Sequence, residues 1–199
     1  MKRLLVATTN RGKIAELKEL LQGIEAELVF PDQLGLNLEV AETGETYAEN
    51  AALKARAFAQ ASGLLSLADD SGLEVDALGG LPGIRSARFA PQPRVTDADR
   101  RRYLLQRLAG TPLPWRAHFH CTVALASPGG ELRFAEGACF GEVIPEERGT
   151  TGFGYDPIFL IPSQGLTMAE LGMAEKNRLS HRALAVQAAI PLIQIMLDS

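Results

Sequence analysis

Near the start of the chain, Thr8-Thr9-Asn10-Arg11-Gly12-Lys13 gathers two hydroxyls, an amide and an ammonium in one polar turn ahead of a helical pattern. Backbone N–H groups at a helix N-terminus attract anions, so these donors suit a phosphate chain. The turn is not a Walker P-loop, because the required glycines and the Lys-Ser/Thr ending are absent. A well-capped surface helix would use the same residues. Further along, Asp69-Asp70-Ser71-Gly72 follows an apolar run. Carboxylates at the carboxyl end of a buried strand sit where open α/β sheets bind ligands. Two adjacent carboxylates repel and invite a cation, and a few oxygen donors suit Mg²⁺. The competing reading is an Asx turn, for which Asp, Ser and Gly are common residues.

Other candidates carry weaker signals. Tyr47, Asn50 and Lys54 share one helical stripe, with Glu42 just upstream in a loop; a solvated lysine and a loop acid are the plainer explanation. Gly152-Phe153-Gly154-Tyr155-Asp156-Pro157 is a loop that could stack a planar ring and bond its edge, or a turn pinned by aromatic packing. Ser180 caps a last helix whose first turn holds His181 and Arg182. Cations there oppose the helix dipole, which hints at an anionic or carbonyl-bearing ligand, unless Glu175 or solvent offsets them. Zinc at His118, His120 and Cys121 is disfavoured because strand alternation separates the histidines from the thiol. A triad built on Ser180 and His181 is weaker still, since sequence neighbours rarely give that geometry. The run Arg100-Arg101-Arg102 reads most simply as the solvated side of a helix.

These residues need elements to hold them. Leu4 to Ala7 reads as a buried strand, and Ile14, Leu17, Leu20, Leu21 and Ile24 recur at helical spacing behind Thr9 or Asn10 as the cap. Ala26 to Phe30 is a second strand, and Gln33 to Glu45 is loop-like. Thr46-x-x-Glu49 is a capping box opening an alanine-rich helix that stops at Gly63. Leu64 to Ala68 is the strand before the acidic pair. Asp97 to Ala109 is a charged helix. His118 to Ala126 alternates, and Pro128-Gly129-Gly130 turns it into Leu132 to Ile144 as a hairpin. Thr167 to Leu171 is expected to be a short helix, and the last helix should kink or end near Pro191. Helix–strand units mixed with a hairpin predict an α/β protein with a mixed sheet.

Composition bounds the answer. The 199 residues are 46% hydrophobic and 22% charged, which excludes disorder and disulfide mini-proteins. The length points to one domain, or one domain of two lobes, burying roughly 70% of its unfolded surface without a structural metal. A net charge of −4 gives no overall basic footprint, so no nucleic-acid partner is expected. Cys121 and Cys139 form no CxxC pair and read as reduced thiols of a cytoplasmic protein. The run Leu4 to Ala7 is too short for a signal-peptide core, and Ala183 to Leu197 is too broken to span a membrane.

Taken together, Thr8 to Lys13, Glu42-Thr43-Gly44 with Asn50-Ala51 and Lys54-Ala55, Ala68 to Leu73, Pro82-Gly83-Ile84 with Ser86-Ala87-Arg88, Gly152 to Pro157 and Ser180-His181-Arg182 resemble, in that order, the inosine/xanthosine triphosphate pyrophosphatase family. The resemblance runs from Thr8 to Arg182. It implies hydrolysis of deaminated purine triphosphates (ITP, dITP, XTP) to the monophosphate and pyrophosphate. It further implies Mg²⁺, a cytoplasmic homodimer, and a single domain over 1–199 with a long central mixed β-sheet flanked by helices and two lobes around a cleft. Carried over, Thr8, Thr9, Asn10, Arg11, Gly12 and Lys13 would hold phosphates, with Lys54 adding charge. Glu42 and Asp70 would bind metal, Asp69 would support that site, and Asp70 would be the general base. Ser71 would touch substrate. Phe153 would stack on the base, with Gly154, Tyr155 and Asp156 completing the loop. Lys176, His181 and Arg182 would read the base or sugar end.

The chemistry is consistent with that assignment. Lys13, Lys54 and Mg²⁺ can offset the charge of a reacting triphosphate. Hypoxanthine and xanthine offer a 6-oxo acceptor to His181 and Arg182, whereas adenine's amino group would be left unmatched at about 1–3 kcal/mol. Two positions depart from the family pattern: Ala41 replaces a frequent second acid beside Glu42, and Tyr47 replaces Phe. The competing functions are a pyrophosphatase for modified pyrimidine triphosphates, a non-catalytic nucleotide-binding module, and a general phosphatase releasing orthophosphate.

Overall fold

Leu4 lies opposite Leu65 and Leu5 opposite Ser66 in parallel register, and the sheet is built outward from this pair. The computed structural model describes residues 2–199; Met1 lies outside the described residues. The order of elements is β1 (Arg3–Val6), α1 (Arg11–Leu20), β2 (Glu27–Val29), α2 (Tyr47–Ser62), β3 (Leu65–Val75), α3 (Asp97–Leu108), β4 (Trp115–Ala126), β5 (Leu132–Val143), β6 (Phe159–Ile161), β7 (Leu166–Thr167), α4 (Met173–Leu179) and α5 (His181–Asp198). The seven strands form one sheet in the order β2-β1-β3-β4-β5-β6-β7. It is mixed: β1 is parallel to both β2 and β3, while β6 is antiparallel to β5 and β7. This is the α/β class that the helix–strand order predicts.

The chain divides into two compact units. The first comprises Met1–Asp70, Cys121–Gly137 and His181–Ser199; the second comprises Ser71–His120 and Ala138–Ser180. In the first unit β1, β3 and β4 are buried on both faces. Leu4, Val6, Leu65, Leu67, Cys121, Val123 and Leu125 pack with Leu17 of α1 and Ala185, Val186, Ala189 and Ile193 of α5. The alternate residues Leu5, Ala7, Ala68, Ala124 and Ala126 pack with Ala51, Ala55, Phe58 and Ala59 of α2. Period-two alternation therefore sorts one set of strands into two apolar layers, and small side chains on both partners let α2 lie close to the sheet. The second unit has its own core, in which Leu73, Leu104, Trp115, Phe119, Tyr155, Phe159 and Met168 are buried together.

Local signals work as the sequence predicts at the helix starts. Asn10 accepts from the Lys13 N–H, and Thr46 and Glu49 form the reciprocal capping box. Three expectations are corrected. Asp69-Asp70-Ser71-Gly72 is neither a turn nor a strand end; β3 continues through it to Val75. Low strand propensity yields there to the tertiary setting of β3, whose neighbour β4 is also a long strand. Thr167 to Leu171 is not a helix: Leu166 and Thr167 pair with Ile161 and Leu160 as an edge strand, and the Thr167 hydroxyl donates to the Arg148 carbonyl. Finally, α5 does not end near Pro191 but runs on to Asp198. Pro191 and Gln187 are exposed, so water can satisfy the carbonyl that the missing N–H leaves, while buried Ala189, Ile193 and Met196 hold both sides of the helix.

Candidate active site

The pleat of β3 sends successive side chains to opposite faces of the sheet. Asp69 follows Leu65 and Leu67 onto the face covered by α1 and α5, and Asp70 follows Ala68 onto the α2 face. The two carboxylates are therefore served by different helices. Among the described residues no three His, Cys, Asp or Glu side chains converge on a metal position.

On the α2 face, Lys54 Nζ is ringed by oxygen. It donates to Glu42 Oε1 at 2.8 Å and to the Asp69 carbonyl at 2.6 Å, and it lies 3.5 Å from Asp70 Oδ1. Burial works against the ammonium, but Asp69, Asp70 and Glu42 outweigh it, and its pKa rises. Burial also lifts the Asp70 carboxyl above the usual range; Lys54 opposes that rise, while Glu42 adds to it. Asn50, fully buried, donates from Nδ2 to Asp70 Oδ2 at 3.3 Å and accepts the Gly44 N–H on Oδ1 at 2.8 Å. One amide thus joins the carboxylate to the loop carrying Glu42. Gly44 has to be glycine for this approach, since a Cβ would stand 2.6 Å from Glu49 Cβ and 2.9 Å from Asn50 Oδ1.

On the other face, Asp69 Oδ2 meets Lys13 Nζ at 2.9 Å and Arg182 Nε at 3.1 Å. Arg182 also bonds Glu16 through Nη1, and both are almost fully buried. Burial would raise Asp69, but Lys13, Arg182 and Lys54 hold its carboxyl far below the usual range. The dipole conflict noted for Arg182 is thus resolved by Glu16 and Asp69 rather than by Glu175, which pairs with Arg178. Cys121 Sγ lies 3.8 Å from Asp69 Oδ2; burial and that carboxylate push its thiol pKa well up. Thr8, Thr9, Asn10, Arg11 and Gly12 lead into and open α1, with Thr8 Oγ1 accepting the Asn10 N–H at 3.2 Å. Thr9, Asn10 and Arg11 are exposed.

The donor chemistry fits Mg²⁺, which needs only one or two protein carboxylates, the remainder being water and substrate phosphate. Glu42 and Asp70, the side-chain oxygens gathered about the Lys54 ammonium, are such a pair. Asp69 Oδ1 is a further buried oxygen, without a hydrogen-bond partner among the described residues.

In the second unit, Phe153 N–H donates to Asp156 Oδ2 at 2.9 Å, and the same oxygen pairs with Lys176 Nζ at 2.7 Å. Lys176 Nζ also stands 5.3 Å from the centre of the Phe153 ring. Tyr155 is buried and donates its hydroxyl to the Ser86 carbonyl at 2.9 Å, while Ser86 Oγ accepts the Leu73 N–H. The segment around Ser86 thereby ties the aromatic loop to β3. Ser71 is half-buried in β3, and His181, buried, opens α5. His118 pairs with Glu74 at 3.4 Å and stacks on Phe140.

A family model described as the Ham1 family matches residues 4–192. The chain belongs to the Ham1 family. It is 46% identical over 192 residues to a dITP/XTP pyrophosphatase of Desulforamulus reducens, covering 96% of this chain and 95% of that one. It is 47% identical over 191 residues to a protein of the same name from Geobacillus kaustophilus, covering 94% and 91%. Among solved structures, the Ham1 protein of Coxiella burnetii superposes with a TM-score of 0.88 at 39% identity, covering 98% of this chain and all of that one. That of Staphylococcus aureus gives 0.85 at 37% identity with the same coverage.

Two residues of this Ham1 chain's polar cluster escape a reading of the sequence. Glu16 falls on a helix stripe like any surface acid, and only its contact with Arg182, 166 residues away, brings it in. Asn50 shares its stripe with Lys54, but nothing local reveals that its amide faces Asp70. The arginine run is also corrected. Arg102 is exposed, with 67% of its side chain accessible, whereas Arg100 and Arg101 keep only 18% and 12%.

Proposed function

We propose that the chain hydrolyses deaminated purine nucleoside triphosphates, dITP, ITP and XTP, to the nucleoside monophosphate and pyrophosphate. The observation that carries this is the near full-length match to curated dITP/XTP pyrophosphatases. The polar groups of the first unit have the chemistry the reaction needs. Lys13 and the donors from Thr8 to Gly12 take the phosphates, as a helix N-terminus does. Glu42 and Asp70 hold Mg²⁺, which when bound supplies positive charge at the reacting phosphates and acidifies water. Asp70 takes the proton of the attacking water. Asp69 holds Lys13 and Arg182 in place rather than reacting. Lys54 offsets charge that develops as the bond between the α- and β-phosphates breaks.

In the second unit, Phe153 stacks on the base, Asp156 and Lys176 hold the loop that carries it, and Tyr155 pins it. Ser71 touches substrate, and His181 contributes to reading the base. Arg182, engaged with Glu16 and Asp69, acts mainly through Asp69. The same reading carries a cytoplasmic homodimer; no helix among the described residues is long and apolar enough to cross a membrane.

The test is a product assay with Mg²⁺ on ITP, XTP, dITP, ATP, GTP and dTTP separately, with pyrophosphate and orthophosphate measured in parallel. Pyrophosphate from ITP, XTP and dITP, with ATP and GTP nearly untouched, is expected. Orthophosphate alone would make the protein a general phosphatase. Turnover of dTTP in preference to ITP would move the substrate to pyrimidines. Saturable ITP binding without either product would leave a binding module.

A further inference from the structure

The loop bearing Phe153 has little conformational preference of its own. Three of the six residues 149–154 are glycines, and all three stand at positive φ. Such a segment pays a large entropy cost on ordering unless its neighbours hold it. Gly154 is held at both of its polar groups by one helix. Its N–H donates to Asp97 Oδ2 at 2.8 Å, and its carbonyl accepts from Arg101 Nη1 at 2.8 Å. Asp97 and Arg101 lie one turn apart on α3, so they face the loop together. Asp97 is steadied by Arg100, and Arg101 reaches Glu147 at 2.8 Å.

We infer that Asp97 and Arg101 are positioning residues that set the angle of the Phe153 ring for the substrate's base, by fixing both hydrogen-bonding groups of the adjoining Gly154. The inference rests on the reading of Phe153 as the stacking residue. A glycine whose N–H and carbonyl are both held cannot rotate without breaking a bond, and the preceding ring is oriented with it. Misplacement of a contacting group loses binding even when the group is still present.

The experiment compares Arg101→Ala, Asp97→Ala, Asp97→Asn, Glu147→Ala and Phe153→Ala. It uses steady-state kinetics on ITP together with amide hydrogen exchange over residues 150–158 of the free protein. Arg101→Ala and Asp97→Ala are expected to raise KM about five- to tenfold with kcat within about twofold, the pattern of lost binding rather than lost chemistry. Exchange over 150–158 should quicken in both. Asp97→Asn should rescue KM, since an amide oxygen still accepts the Gly154 N–H. Glu147→Ala, which removes only the exposed partner of Arg101, should leave KM and exchange as they are. The Asp97 pair carries the test if Arg101→Ala does not fold. The inference is overturned if Phe153→Ala raises KM while Arg101→Ala and Asp97→Ala leave it within about twofold of the parent. If Phe153→Ala itself leaves KM unchanged, the stacking reading falls and takes this inference with it.

Discussion

Asp69 and Asp70 are neighbours in sequence, yet their carboxylates point to opposite faces of β3: Asp69 Oδ2 sits 2.9 Å from Lys13 Nζ, and Asp70 Oδ2 sits 3.3 Å from Asn50 Nδ2. The pleat gives each acid its own surroundings, and these push their pKa values apart. One carboxylate is locked in its charged form, and the other is held closer to neutrality. Divergent environments for two titratable groups are how a site assigns them different tasks.

Asp70→Asn should abolish pyrophosphate release and leave thermal stability of the metal-free protein at or above the parent's. For a carboxylate whose folded pKa is raised, ionisation disfavours the fold at every pH above the ordinary value, and the neutral amide removes that penalty. Differential scanning calorimetry in a chelator, beside the product assay, checks both halves. A clear drop in Tm would show that the charged form of Asp70 supports the fold.

Arg182→Ala should destabilise the protein by about 3–5 kcal/mol, because it removes the buried guanidinium that pairs with both Asp69 and Glu16. Urea unfolding at neutral pH measures this; a loss under about 1 kcal/mol would place the pair with exposed salt bridges. The pH dependence follows from Asp69. Its folded pKa lies below the ordinary 3.8, so its stabilisation is present above about pH 4 and fades as pH falls toward the depressed value. Asp69→Asn should lack that part of the acid limb.

Asn50→Ala should raise the Mg²⁺ concentration that turnover requires by about 10–100-fold, the usual effect of removing a group that orients metal-binding carboxylates. The reading is the Mg²⁺ concentration giving half-maximal pyrophosphate release. An unchanged requirement would reduce Asn50 to a structural tie between Gly44 and β3.

Neither thiol should react with iodoacetamide in the folded protein at pH 8, and both should react in denaturant. Cys139 is pushed up to about 11 by burial and Asp156, and Cys121 is pushed further. At pH 8 that leaves about one thiolate in a thousand at Cys139. Rapid labelling of the native protein, read by mass spectrometry, would contradict the burial of both.

The sequence by itself determined the features whose causes lie within a few residues. Thr46 and Glu49 cap α2 because their side chains reach backbone three positions away. Asn10 caps α1 for the same reason, and the alternation of Cys121, Val123 and Leu125 places them on one sheet face whatever the rest of the chain does. The order of six motifs was also legible, and with it the family. What only the tertiary structure decided depends on strand register and on contacts between distant elements. Turn-forming residues at 69–72 become strand as part of β3, which continues through them beyond its pairing with β1. Asp69 and Arg182 meet across 113 positions, and two of three consecutive arginines turn out to be largely buried, Arg101 holding a loop 53 positions away. Hydrogen bonds and ion pairs have no sequence period. Their partners are set by which faces the packed elements present to one another, and that is settled only when the sheet has formed.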